Sequence, residues 1–294
     1  MAAAEWSHAE EIRSFEAASR TARCKLDRFT PLIPTLGRPP GGGLVRNLGH
    51  PQMKFLSAVL SVGFLFGAAS PLTVAQQVPA GELRAQGEVT AIDILLVPDS
   101  TMVRRAGANN ARLRKVFPNG FALDATHRPH VTLVQRFVRT AELNRVYAAV
   151  EDVLDGARLR DIRLDAFKYY YIPSGDTGLA GIVARPTPQL LELQGALIQA
   201  VMPFTVETGD SAAFFTTPDD PVIDPALVQY VTEFVPKASG KNFSPHVTTG
   251  VASRKYLDAM LAEPFKPFSF SFKGAAIYQM GQFGTAAKKL KDWN

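Results

Sequence analysis

The chain has a single cysteine in 294 residues, Cys24, and it falls far upstream of everything that reads as a folded domain. That scarcity excludes an intrachain disulfide, a thiol nucleophile and a thiolate metal site in the main domain. Long apolar runs are also scarce: the longest, Phe55 to Phe66, is shorter than the roughly 20 residues that span a bilayer. No G-x-S-x-G elbow is present, which removes the usual setting of a serine hydrolase, and no H-x-x-x-H pattern suggests zinc. A strong excess of charge is missing as well. The formal net charge is +5, but residues 1–75 carry eight Lys/Arg against five Asp/Glu, whereas residues 76–294 carry 24 against 22. A domain this close to neutral does not project the long-range basic field of a nucleic-acid scaffold.

Residues 53–75 have the layout of a secretory signal peptide. Met53 and Lys54 form a short positive head, Phe55 to Phe66 an apolar centre, and Thr73 and Ala75 the small-residue exit before Gln76. A signal peptide belongs at an N-terminus, so residues 1–52 are expected to be an upstream translation artefact. The competing reading is a disordered extension ahead of a signal anchor. The processed product, 76–294, is expected to be exported, periplasmic or extracellular, with no stable membrane anchoring, and to act as a monomer.

Hydrophobic periodicity and turn chemistry give the mature chain a strand–helix order. Strands are expected at 89–98, 130–138, 160–172, 178–184, 246–251 and 267–281. Helices are expected at 102–116 (with a polar face), 140–157 with Thr140 as N-cap, 187–203 with Thr187-Pro188 as N-cap and N1, and 253–262. Residues 205–244 form a long connection, rich in proline and aspartate, with one short helix from Pro225 to Val235; Asp219, Asp220 and Asp224 lie in it and can narrow or cover a cleft. The C-terminal TAAKKLKDWN reads as a solvated basic tail. The fold class expected is α+β and bilobal, with two pseudo-symmetric lobes, facing antiparallel sheets and a central cleft.

Of only five histidines, two occur in a repeated tetrapeptide, PHVT, at 129–132 and 245–248. In a strand, residues i and i+2 share a face. His130 and Thr132 therefore project together while Val131 and Leu133 enter the core; His246 and Thr248 repeat this with Val247 behind them. A lone His-x-Thr on a strand is more often a packed or surface histidine. Two copies, one in each half, suit in-line displacement at phosphorus instead. One neutral imidazole removes a proton from the attacking oxygen and one protonated imidazole supplies the leaving oxygen. The threonine hydroxyls can donate to phosphate oxygens. This chemistry needs neither metal nor cofactor, and a zinc site would need at least one more ligand.

These paired motifs resemble the two-histidine (2H) phosphoesterase superfamily, which includes 2′,5′ RNA ligase-like proteins and cyclic phosphodiesterases; residues 274–293 also resemble its closing strand. The resemblance implies a bilobal α+β fold over about 89–294. It also implies hydrolysis or transesterification of 2′,3′-cyclic phosphate ends of nucleotides or short RNA, with His130 and His246 as the acid/base pair. Thr132 and Thr248 would contact phosphate. A non-catalytic nucleotide- or phosphate-binding protein on the same fold is the alternative. Further candidates are Arg136, nominally on the face of His130 and otherwise a solvated strand-end arginine, and one of Tyr169, Tyr170 and Tyr171 as a base-stacking ring. Lys241 and Tyr278 are candidate rim residues. His127 is expected in the loop leading into the motif strand.

Overall fold

The computed structural model describes residues 88–294; the expectations for the extension, the signal segment and Cys24 lie outside the described residues. Among the described residues, nine strands form two antiparallel sheets. The first has the order β5-β2-β1-β8-β9, from β1 (Val89–Pro98), β2 (Val131–Arg139), β5 (Thr205–Val206), β8 (Phe272–Met280) and β9 (Ala286–Trp293). The second has the order β6-β4-β3-β7, from β3 (Leu164–Ser174), β4 (Thr177–Ala184), β6 (His246–Ser253) and β7 (Phe268–Phe270). The helices are α1 (Ser100–Val116), α2 (Leu143–Asp155), α3 (Pro188–Val201), α4 (Pro225–Ala238) and α5 (Arg254–Leu261). The expected α+β class with two facing sheets is what the chain adopts, with one motif on each sheet.

The two lobes are not consecutive halves of the chain, as the element order had suggested. β3 and β4 follow the first motif in sequence but join the sheet of the second, and β8 and β9 return to the first sheet. One feature of this interleaving is visible at Ser271. The expected single strand 267–281 breaks there into β7 and β8, which belong to different sheets. Asp99 holds the break: its Oδ2 accepts from the Ser271 amide at 2.9 Å and hydroxyl at 3.0 Å, while Oδ1 caps α1 through the amides of Thr101 and Met102. Burial opposes charge on Asp99, but these donors outweigh it and hold the carboxyl below its ordinary range.

Two other expectations are corrected. The C-terminal segment is not a solvated tail; its alternation of Ala, Leu and Trp with Lys pairs it as β9 along β8. Thr140 is not the N-cap of the helix after β2. It opens a 3-10 turn, Thr140–Glu142, and its hydroxyl meets that of Thr90 at 2.8 Å. Thr187, by contrast, caps α3 as its sequence requires, accepting from the Leu190 amide.

The main core lies behind the motif faces. Ile92, Ile94, Val131, Leu133 and Val134 from the first sheet meet Ile182, Val247 and Phe270 from the second, closed by Val146 and Val150 of α2 and by Leu190 and Leu197 of α3. On the opposite face of the first sheet, Leu227 and Val231 of α4 pack with Phe137, Ala91 and Met280. The long connection therefore covers part of the motif face. It does so with an apolar helix three residues longer than expected.

Candidate active site

Both motifs line one cleft, to which His130, Thr132, His246 and Thr248 all contribute. Pairing across each motif strand shows how the sequence produces this. In the first sheet Thr132 lies opposite Leu95 and Val134 opposite Ile94, so Leu133 is an extra residue, a bulge. In the second, Thr248 lies opposite Gly181 and Gly250 opposite Ala180, so Thr249 is the extra residue. Each bulge thus follows its motif threonine directly. Each is also held by a buried amide on a helix: Gln194 Nε2 donates to the Leu133 carbonyl at 2.9 Å, and Asn110 Nδ2 to the Thr249 carbonyl at 2.9 Å. Asn109 adds a 2.8 Å bond to the Thr249 hydroxyl. The polar face expected for α1 is, at these two asparagines, buried.

The bulge decides what stands beside the motif. Past it, the residue three after the threonine returns to the cleft face: Gln135 in one half, Val251 in the other, and both line the cleft. Their cross-strand partners are Asp93 and Leu179. Arg136, expected on the His130 face, is instead paired with Ile92 on the core side of the sheet and does not line the cleft. The extra residue has turned it away. Burial lowers its pKa, and no phosphate contact is open to it from there.

The two histidines are oriented alike. Nδ1 of His130 lies 2.7 Å from the Arg128 carbonyl, and Nδ1 of His246 lies 2.8 Å from the Ser244 carbonyl, each two residues earlier with the motif proline between. A carbonyl only accepts, so Nδ1 carries the proton in both rings and Nε2 is the reactive nitrogen.

Their surroundings differ. Nε2 of His130 stands 3.4 Å from Oδ2 of Asp93, a fully buried carboxylate that also accepts from the Thr132 hydroxyl at 2.7 Å and from Gln135 Nε2 at 3.0 Å. Burial alone would push the His130 pKa down, but the hydrogen bond and charge of Asp93, with the Arg128 carbonyl, raise it above 6.5. At 3.4 Å the contact is long for a hydrogen bond, so it favours the imidazolium without withholding its proton from a ligand oxygen. His246 has a ring for a neighbour: Tyr170 packs edge-on with centroids 4.8 Å apart. Gly181 makes room for that ring, since a Cβ there would stand 2.3 Å from the Tyr170 ring.

Asp93 is the site residue that the sequence reading missed. Its signal was a lone charge within the otherwise apolar VTAIDILLVP. The expected threonine roles also divide. Thr132 donates to Asp93, whereas the Thr248 hydroxyl makes no side-chain bond among the described residues. Tyr278 sits on the cleft face of β8, opposite Asp93, but is buried with Leu95, Ala276 and Ala286 and does not reach the cavity.

None of the three consecutive tyrosines lines the cleft. Tyr169 packs on Phe265, Tyr170 on His246, and the Tyr171 hydroxyl donates to Asp258. Lys241 lies on an exposed 3-10 turn, Gly240–Asn242, off the cavity wall. His127 lies in the loop before β2, as expected, and is buried there: it contacts Asp124 through Nδ1 at 3.1 Å and Asp220 through Nε2 at 2.9 Å. The acidic connection is thereby tied to the motif loop. Asp224, also in that connection, caps α4 and lines the cleft.

No family model matches this chain, and no curated protein matches it. Among solved structures, the chain is similar to a Thermus thermophilus protein at 18% identity, over 69% of this chain and 97% of the other, with a TM-score of 0.42. It is similar to Escherichia coli LigT, solved with 3′-AMP, at 13% identity over 70% and 97%, with a TM-score of 0.35. It is similar to Kluyveromyces marxianus Usb1 at 12% identity over 70% and 98%, with a TM-score of 0.36.

Proposed function

We propose that the chain is a metal-independent phosphoesterase of the 2H type, acting on the 2′,3′-cyclic phosphate of a nucleotide or RNA end. The observation that carries this reading is the convergence of two like-oriented histidines on one cleft, each with Nδ1 tied to a carbonyl. Water adds to phosphorus as His246 Nε2 takes its proton. The bond from phosphorus to one ribose oxygen breaks, and that oxygen receives the proton from His130 Nε2. The cycle leaves His246 charged and His130 neutral, and solvent exchange restores both. Asp93 supports the assignment of His130 as the acid, because a buried carboxylate favours the protonated ring. Thr248 has a hydroxyl to offer the phosphate; Thr132 spends its own on Asp93. We further propose that the protein is exported, on the strength of residues 53–75; N-terminal sequencing of native protein should begin near Gln76, and a start at Ala2 would refute export.

The activity test is incubation with a nucleoside 2′,3′-cyclic phosphate across the pH range, with and without EDTA. Turnover should be bell-shaped in pH, indifferent to chelation and reduced about 10²- to 10⁴-fold in either His130→Ala or His246→Ala. Loss on chelation would overturn the mechanism. Ligand binding without turnover would make the chain a binding protein in an enzyme-like cleft.

A further inference from the structure

The cleft is built with almost no formal charge. Among the described residues that line it there is no lysine and no arginine; besides the two histidines and the phenol of Tyr230, the one ionisable side chain is the acidic Asp224. Proteins that hold a polynucleotide strand track its backbone with basic side chains, and each phosphate neutralised adds to the salt dependence of binding. No cation lining this cavity could neutralise a second or third phosphate, and Asp224 would repel one. A single protonated imidazole matches a single phosphodiester charge.

The walls carry the complementary message. Leu227, Phe234 and Phe243 line the cavity with apolar surface. At its mouth stands Phe283, a lining residue that is 37% exposed and has a φ of 61°, the only positive φ outside glycine among the described residues. An aromatic residue in the left-handed region is costly and persists where its surroundings impose it, which is more common at binding sites than elsewhere. Here Gly284 follows, also at positive φ, and the ring leans on Phe121 at 5.5 Å, which in turn stacks on the buried His127. The result is a supported aromatic ring with part of its surface open.

Building on the phosphoesterase reading, we propose that the site takes a small ligand with one phosphodiester and a flat, uncharged body set against Phe283, a mononucleotide rather than a polynucleotide strand. Phe283 is then a specificity-determining contact for the base.

The test is calorimetric titration of the full-length protein with a 2′-deoxynucleoside 3′-methylphosphate, a diester that cannot cyclise, and with an oligonucleotide of about eight residues ending in the same diester, from about 50 to about 300 mM salt. Turnover of the cyclic-ended ribonucleotide counterparts is followed in parallel. The two ligands should bind within about threefold of each other, and neither should weaken by more than about fourfold over that salt range. Phe283→Ala, at an exposed position, should weaken the mononucleotide about tenfold and leave inorganic phosphate unaffected. An oligonucleotide bound more than about tenfold tighter with a steep salt slope overturns the proposal, as does failure of both nucleotides to bind or full affinity in Phe283→Ala. The predicted binding without turnover keeps this inference and removes the phosphoesterase; turnover confined to the oligonucleotide keeps the phosphoesterase and removes this inference.

Discussion

The two sides of the cleft share a backbone and differ in what it presents. Each has a Pro-His-Val-Thr, a carbonyl two residues back on Nδ1, a bulge just after the threonine, and a buried helix amide on the bulge carbonyl. At the pair of positions beyond the bulge, one side has Asp93 and Gln135 and the other Leu179 and Val251. Duplicated geometry delivers two imidazoles in the same tautomer; the carboxylate of Asp93 raises the proton affinity of the one it faces. In-line displacement needs both conditions, because one ring has to start protonated and the other free.

The sharpest way to break this comparison is to remove the need for the acid. A nucleoside phosphodiester with a 4-nitrophenol leaving group departs without a proton. On that substrate His130→Ala should lose less than about tenfold, while His246→Ala should still lose about 10²- to 10⁴-fold, measured as single-turnover rates. The reverse pattern would exchange the two roles.

A smaller effect is expected from erasing the difference itself. Asp93→Asn keeps an acceptor for Thr132 but removes the charge that raises His130. The acid must be protonated, so the rate falls as pH rises through its pKa, and the substitution should pull that alkaline limb to lower pH with the acid limb unmoved. A drop of about tenfold at pH ~8 and less at pH ~6 is the expected reading of the pH profile. Stability should follow the same sign. With its folded pKa raised, His130 stabilises fully below the unfolded value of 6.5, and that contribution is lost as pH climbs through the folded value. The melting-temperature gap between wild type and Asp93→Asn should therefore be widest on the acid side and narrow as the pH rises. A uniform gap would mean that Asp93 acts only through hydrogen bonding.

How much of this was legible in the sequence varies with the range of the interactions. The repeat, the alternation around it, the capped helix after Thr187 and the strands on either side are local patterns, and they were read correctly. Arg136 was misplaced because a one-residue bulge exchanges faces, and nothing local in VTLVQRF marks where the extra residue falls. Its determinant is Gln194, 61 positions away. The break at Ser271 is set by Asp99, 172 positions away, and the C-terminal strand by pairing with β8. Asp93 was detectable as a charge in an apolar strand, yet its role depends on Gln135 and Thr132 arriving beside it. Interleaving of the lobes has the same origin: sheet partners are chosen by burial across the whole chain, which element order does not encode.

The threonines offer the finest discrimination between the two sides. If the sides were equivalent, Thr132→Val and Thr248→Val would cost the same. They should not. Thr248 presents its hydroxyl to the cleft without an internal partner, so its loss removes a bond to the charged phosphate: about tenfold in kcat/KM, with melting nearly unchanged. Thr132 donates to a carboxylate that is fully buried, and its loss leaves that acceptor under-satisfied: about 1–3 kcal/mol of stability, with a smaller effect on turnover felt through His130. Denaturant titration beside steady-state kinetics on both variants separates the two. Equal losses in both measurements would show that the asymmetry around Asp93 does not reach the phosphate.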